Sequence, residues 1–363
     1  MAKRTRATRA RTPDPLPESG VAAGSLDDLI GQDDAVELLR RILDADRIPH
    51  AWLFGGPSGV GKRTLGLAFA AALLEPEEVG EATEARAMLA SGSHPDLTLV
   101  TKELAAFSED ADVRKRKQRN IPIELLREFF DPAVARTATL PGRRAAKVCI
   151  IDQAHLLGRD GQNHLLKTLE EPPPRTVLIL VADRPHDLLP TIHSRCQRLD
   201  LRPLPPEAME RWLDARGVGD DVERGTLLRL ADGSPGDAEL MRTTGVVGWP
   251  GELEPLLSRA SNGDDDGALA DACVLLASAW SEAWVKQRPA ASKDAANRIA
   301  WGLVLRVAAE WCRARLRAGD ADAESLDAIA ACGGLLDRDV QPRFAFEVLA
   351  ERLAVDALAT PGR

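Results

Sequence analysis

The stretch that most constrains this chain is residues 51–64, Ala-Trp-Leu-Phe followed at once by Gly-Gly-Pro-Ser-Gly-Val-Gly-Lys-Arg-Thr. Residues 51–54 form a short apolar run, and residues 64–74 are Ala/Leu-rich and read as a helix. A strand, a glycine-rich loop and a helix in that order make the setting of a phosphate-binding loop. Gly56, Gly59 and Gly61 let backbone N–H groups turn inward around phosphate oxygens. The helix N-terminus adds its positive dipole end, and Lys62 is placed to sit over the β- and γ-phosphates.

The segments that follow keep the same rhythm. Residues 148–151 and 176–182 are continuous apolar runs, as expected of strands buried on both faces. Residues 163–170 read as a helix that stops at Pro172-Pro173-Pro174, because proline cannot continue it. Strands and helices alternating at this spacing predict an α/β core, a parallel sheet with helices on both faces. After Leu204 the strand signal fades. Pro205-Pro206 opens helical stretches at 209–215 and 222–230, and the second ends at the turn cluster Asp232-Gly233-Ser234-Pro235-Gly236. Farther on, Ala300, Leu303, Val304, Val307 and Trp311 make one apolar helical stripe, as do Phe346, Leu349 and Leu353. The expected organisation is a basic, proline-containing tail over 1–24, a phosphate-loop core over 25–202, a small helical lid over 203–246 and an all-α domain over 247–363.

The chemistry of the loop departs from that of a hydrolase at each position that matters. A working loop carries Ser or Thr after its lysine, and that hydroxyl ligates Mg²⁺. Here the residue is Arg63, which offers no acceptor and repels a cation. Thr64 comes one position late, about 100° around the helix. The run Lys-Val-Cys-Ile-Ile ends in Asp152, the carboxylate that would hold the metal through water, but the next residue is Gln153 where a glutamate would deprotonate the attacking water. His155 reads as an orienting or packing residue. These substitutions predict a site that keeps its shape without efficient hydrolysis. ATP or ADP binding stays open, and neither is required as a cofactor.

The formal net charge of −9 argues against a chain that coats nucleic acid by itself. One local basic run, Arg114-Lys115-Arg116-Lys117-Gln118-Arg119, is either a DNA contact or a solvated loop. Cysteines stand at 149, 196, 273, 312 and 332, with no CxxC pair, so neither a disulfide framework nor a metal site is expected, and a reducing cytoplasm fits. The first twenty residues are Arg-rich but lack an apolar core, which reads as a disordered tail rather than a secretory signal. No run is expected to reach the ~20 apolar residues of a membrane helix.

Two further segments carry a family resemblance. Asn-His-Leu-Leu-Lys-Thr-Leu-Glu-Glu-Pro-Pro at 163–173, with Leu-Pro-Thr-Ile-His-Ser-Arg-Cys at 189–196, closely resembles the AAA+ clamp-loader subunits of bacterial DNA polymerase III. The likeness runs from about residue 26 to 238. It implies an AAA+ core, a helical lid, and a helical collar that holds a ring of five subunits. Two types of subunit compete. The gamma/tau type hydrolyses ATP, whereas the delta-prime type does so poorly or not at all. Arg63, Gln153, Asp183 near the polar sensor position, and Gly236 where a motor's lid carries an arginine all point to the delta-prime type. The resemblance also implies that Arg195 reaches toward a neighbour's ATP as a trans arginine finger. It implies gamma/tau and delta subunits, a sliding clamp and primed DNA as partners, with no membrane. Many relatives carry a four-cysteine zinc module before a His-Pro-Asp segment. Here His94-Pro95-Asp96 is present and residues 74–93 hold no cysteine, so no structural zinc is expected.

Overall fold

The structure is a computed structural model and describes residues 24–45, 47–76, 79–115, 120–288, 291–319, 324–338 and 340–359. It divides into two compact units, one made of residues up to Gly56, Lys62–Thr101 and Ile121–Leu201, the other of Pro57–Gly61, Lys102–Asn120 and residues from Arg202 onward.

The first unit is built on five parallel strands: β1 (Ala51–Gly55), β2 (Leu97–Val100), β3 (Lys147–Ile151), β4 (Thr176–Ala182) and β5 (Gln197–Asp200). Their spatial order is β2-β3-β4-β1-β5. Every residue of β1, β3 and β4 is buried, which is why these strands are continuous apolar runs. The edge strands β2 and β5 go beyond the sequence expectation. In β5, Gln-Arg-Leu-Asp buries only Leu199, so no apolar run marks it. The register pairs Ala51 with Leu178 and Trp52 with Gln197, fixing β4 and β5 on either side of β1.

Among the described residues, four longer helices belong to this unit: α1 (Asp33–Asp44), α2 (Lys62–Leu74), α3 (Val79–Ala90) and α4 (Arg159–Glu170). Helix α2 begins two residues, and α4 four residues, before the sequence-expected starts. Helix α4 ends at Glu170, just ahead of the prolines. Trp52, Phe54 and Phe69 form an aromatic cluster where α2 meets β1, with Trp52 and Phe69 edge-to-face at 5.3 Å. Trp52 is fully buried, and its indole N–H donates to the Pro49 carbonyl at 3.0 Å, which satisfies the one polar atom it carries inward. The His-Pro-Asp segment is structural. The buried Asp96 carboxylate accepts from the backbone N–H groups of Thr139 and Leu140, and His94 Nδ1 accepts from Asp96 N–H at 3.2 Å. Burial lowers the His94 pKa.

The second unit is helical. Helices α5 (Pro206–Ala215), α6 (Asp221–Ala231) and α7 (Pro235–Thr243) precede α8 (Trp249–Ser261), α9 (Ala268–Gln287), α10 (Lys293–Ala318), α11 (Glu324–Asp337) and α12 (Pro342–Ala359). Asp220 caps α6 and Ser234 caps α7, each accepting the N–H three residues on. Both expected stripes, at 300–311 and 346–353, are buried. One expectation is corrected. Helix α9 is, by length and composition, apolar enough to cross a membrane. Alanines spread its apolar character too evenly to stand out as a run. It carries Asp271, Glu282 and Lys286, and one face of it buries Leu269, Cys273, Ala277 and Trp280.

Candidate functional site

The site residues of the first unit gather where the three central strands end. Gly56 follows β1 with φ +138°, and a Cβ there would lie 2.3 Å from the Leu201 carbonyl oxygen, so only glycine fits. Lys62 opens α2. Its side chain is 3% exposed, and Nζ donates to the Gly56 carbonyl at 2.8 Å and lies 2.7 Å from Asp183 Oδ1. Asp183 directly follows β4. Its backbone N–H donates to His155 Nδ1 at 3.2 Å. Burial lowers the His155 pKa, against the opposing pull of Asp183, so the ring is held as the neutral acceptor.

The second cation is committed as well. Arg63 Nη1 lies 3.6 Å from Asp152 Oδ2 at the end of β3. Gln153 adopts a left-handed conformation (φ 53°, ψ 42°), and its N–H donates to Asp152 Oδ1 at 3.0 Å. Thr64 is half-buried in the first turn of α2.

These residues do not fit a magnesium nucleotide. The lysine that would meet phosphate is neutralised by Asp183. The aspartate that would hold the metal shell faces Arg63 instead of a hydroxyl. Gln153, next to that aspartate, carries a neutral amide that cannot take a proton from water.

The tip of the loop, Pro57–Gly61, groups with the second unit. Gly59 has φ +75° and Gly61 has φ +100°. The start of α7 rests on this tip. Gly236 N–H donates to the Gly59 carbonyl at 2.8 Å, and Ser234 Oγ to the Ser58 carbonyl at 3.2 Å. A Cβ on Gly236 would lie 2.8 Å from Gly59 Cα. Glycine at 236 is thus needed for contact, beyond being a missing arginine. Asp237, the next residue, pairs with Arg306 of α10 at 2.6 Å. Sequence reasoning misses the contact of α7 with the loop, because its partners lie 176 positions apart.

Arg195 stands elsewhere in the first unit. It precedes β5 by two residues, at the edge where the parallel strands begin, whereas Lys62, Asp152 and Asp183 sit where strands end. Its side chain is 34% exposed. Nη2 lies 2.7 Å from Glu170 Oε1 at the end of α4, and Nη1 donates to the Thr191 carbonyl at 3.0 Å and to Ser194 Oγ at 3.2 Å. No sequence signal marks Glu170 as a partner, since only the fold brings the end of α4 beside this turn. Burial pushes the Cys196 thiol up to about 12, so it is no nucleophile. Of the basic run at 114–119, only Arg114 and Lys115 are described. Arg114 donates to the Ser108 carbonyl and to the Glu109 carbonyl, the latter at 2.8 Å. The basic tail lies outside the described residues, apart from Gly24.

A parallel sheet in this order, with a glycine loop after β1 and an aspartate closing β3, defines an AAA+ P-loop module. A family model described as DNA polymerase III, delta subunit, matches residues 31–205 of this chain. The delta-prime subunit of Pseudomonas aeruginosa DNA polymerase III is 37% identical over 204 residues, 54% of this chain and 57% of that protein. The Bacillus subtilis delta-prime subunit is 33% identical over 196 residues, 53% of this chain and 54% of that protein. The gamma/tau subunit of Mycobacterium tuberculosis is 32% identical over 225 residues, 59% of this chain and 36% of that protein. The chain thus spans between a third and just over half of the length of these relatives.

Proposed function

We propose that this chain is a clamp-loader subunit of bacterial DNA polymerase III, of the delta-prime type. In this reading it does not turn over ATP itself. It lends Arg195 to the ATP of an adjacent gamma/tau subunit, in a five-membered ring with delta that loads a sliding clamp on primed DNA. Helices α8–α12 supply the collar that holds the ring.

One observation carries the reading. Both cations of the phosphate loop are tied to carboxylates, Lys62 to Asp183 and Arg63 to Asp152, while the arginine of the Ser-Arg-Cys segment stands about a third exposed at the opposite end of the strands. A planar, permanently charged guanidinium suits the stabilisation of charge on a γ-phosphate, and lysine is a poor replacement. The motor reading draws support from the 32% identity to a gamma/tau subunit. Against it stand Arg63, Gln153, Asp183 and Gly236.

ATPase assays separate the two. The purified chain is expected to show no turnover above background. Robust turnover abolished by Lys62→Ala would establish the motor reading instead. In a complex reconstituted with gamma/tau and delta, Arg195→Ala is expected to preserve assembly and lower turnover. Unchanged turnover would remove the finger assignment.

A further inference from the structure

We propose that Asp183 is a resident anion that closes the phosphate loop of this chain, taking the place on Lys62 that a nucleotide phosphate would otherwise take. The inference deepens the reading above and rests on its view of residues 56–64 as a former phosphate site. It names what keeps that site shut.

Lys62 Nζ has three donors. One is directed at the Gly56 carbonyl at 2.8 Å and one at Asp183 Oδ1 at 2.7 Å, on a side chain 3% exposed. An ammonium so deeply buried requires a counter-charge, and Asp183 supplies it from within the chain. A phosphate oxygen approaching Nζ would have to displace this carboxylate and would meet its negative charge. The carboxylate is held in place from two sides. Residue 183 directly follows the fully buried strand β4, and its N–H is bound to His155 Nδ1 on the turn after β3. Strand ends and the β3 turn therefore aim Asp183 at Lys62 without help from a ligand.

Arg63 completes the closure. At the position of a metal-binding hydroxyl it brings a fixed positive charge, and Asp152 answers it at 3.6 Å. The pocket thus contains two cations and two carboxylates that neutralise one another. Neutralising one carboxylate leaves a net positive site at the start of the thirteen-residue helix α2, where the helix dipole favours an anion. With Arg63 in place, that anion needs no divalent metal.

The test is nucleotide binding by the isolated full chain, read by anisotropy of a fluorescently labelled ATP and by thermal shift with unlabelled ATP and ADP. The wild-type chain is expected to show no saturable binding up to millimolar nucleotide. Asp183→Asn, and independently Asp183→Ser, are expected to bind at least roughly tenfold more tightly, to equal degree in Mg²⁺ and in EDTA. Adding Lys62→Ala to either variant is expected to abolish the gain. Micromolar binding by the wild-type chain would overturn the proposal. So would folded Asn and Ser variants that bind no better than wild type. Binding that appears only with Mg²⁺ would overturn the role given to Arg63. None of these outcomes depends on Arg195, so the finger assignment can fail while this inference stands, and the reverse also holds.

Discussion

Lys62 and Arg195 belong to the same unit and lie at opposite ends of the same parallel strands, in contrasting electrostatic settings. Lys62 is sealed against Asp183 with 3% of its side chain exposed, whereas Arg195 is 34% exposed and is paired with the half-exposed Glu170. In the first pair the lysine belongs to the interior, while Asp183 keeps 25% of its side chain exposed. The attraction is strong there, and so is the penalty for removing one partner. The second pair sits in water, where such contacts contribute about 0–1 kcal/mol and can exchange partners. The same kind of charge is buried at one end and about a third exposed at the other. What separates them is burial.

Activity is where the contrast is expected to be largest. At the adjacent motor site of a reconstituted complex, Arg195→Ala is expected to reduce single-turnover hydrolysis by ~10³-fold, with little recovery in Arg195→Lys. The same variant should melt within about 1 kcal/mol of wild type. Lys62→Ala reverses the pattern. It should destabilise the chain by about 3 kcal/mol in chemical denaturation, because it leaves Asp183 facing a buried void. Equal stability of the two variants would erase the distinction between them. Gly56→Ala is next in size, at about 2 kcal/mol, from positive φ and collision with the Leu201 carbonyl. Gly236→Arg should cost about 1–3 kcal/mol, from crowding of Gly59, and should confer no hydrolysis, since Gln153 still supplies no base. The smallest effect is in pH. Burial lowers the pKa of both His94 and His155 below their unfolded value. Their neutral forms therefore contribute stability that is present above pH ~6.5 and is lost as pH falls through the folded values. Melting at about pH 5.5 should be lower than at about pH 7.5, and His155→Gln should flatten that slope.

Much of the first unit can be read directly from the sequence, for a physical reason. Strands buried on both faces are apolar except where a polar side chain finds partners, as Lys147 does on the Val134 and Arg136 carbonyls, and β4 coincides with the run 176–182 to the residue. The glycine loop, the aspartate after β3 and the Ser-Arg-Cys turn are local patterns, so they too are visible along the chain. Edge strands escape notice because one side faces solvent and Gln197, Arg198 and Asp200 need not be apolar. Partnerships escape for another reason. Asp183 is recognisable as a charge near phosphate, but its grip on Lys62 depends on β4 lying beside β1. Glu170 next to Arg195, and Gly236 on Gly59, likewise follow from chain reversals that no short window records.

The aromatic cluster between β1 and α2 has an optical consequence. The chain has seven tryptophans and no tyrosine. Trp52 is the single tryptophan of the first unit, and Trp212, Trp249, Trp280, Trp284, Trp301 and Trp311 all fall in the second. Intrinsic emission is therefore uncontaminated by phenol, and the difference spectrum between the wild-type chain and Trp52→Phe isolates the light from one indole. That indole sits on the strand that leads into Gly56, wrapped by Phe54 and Phe69. Red-shifted Trp52 emission would report water reaching the aromatic cluster between β1 and α2, so the chain carries its own fluorescent gauge for the packing of its first unit.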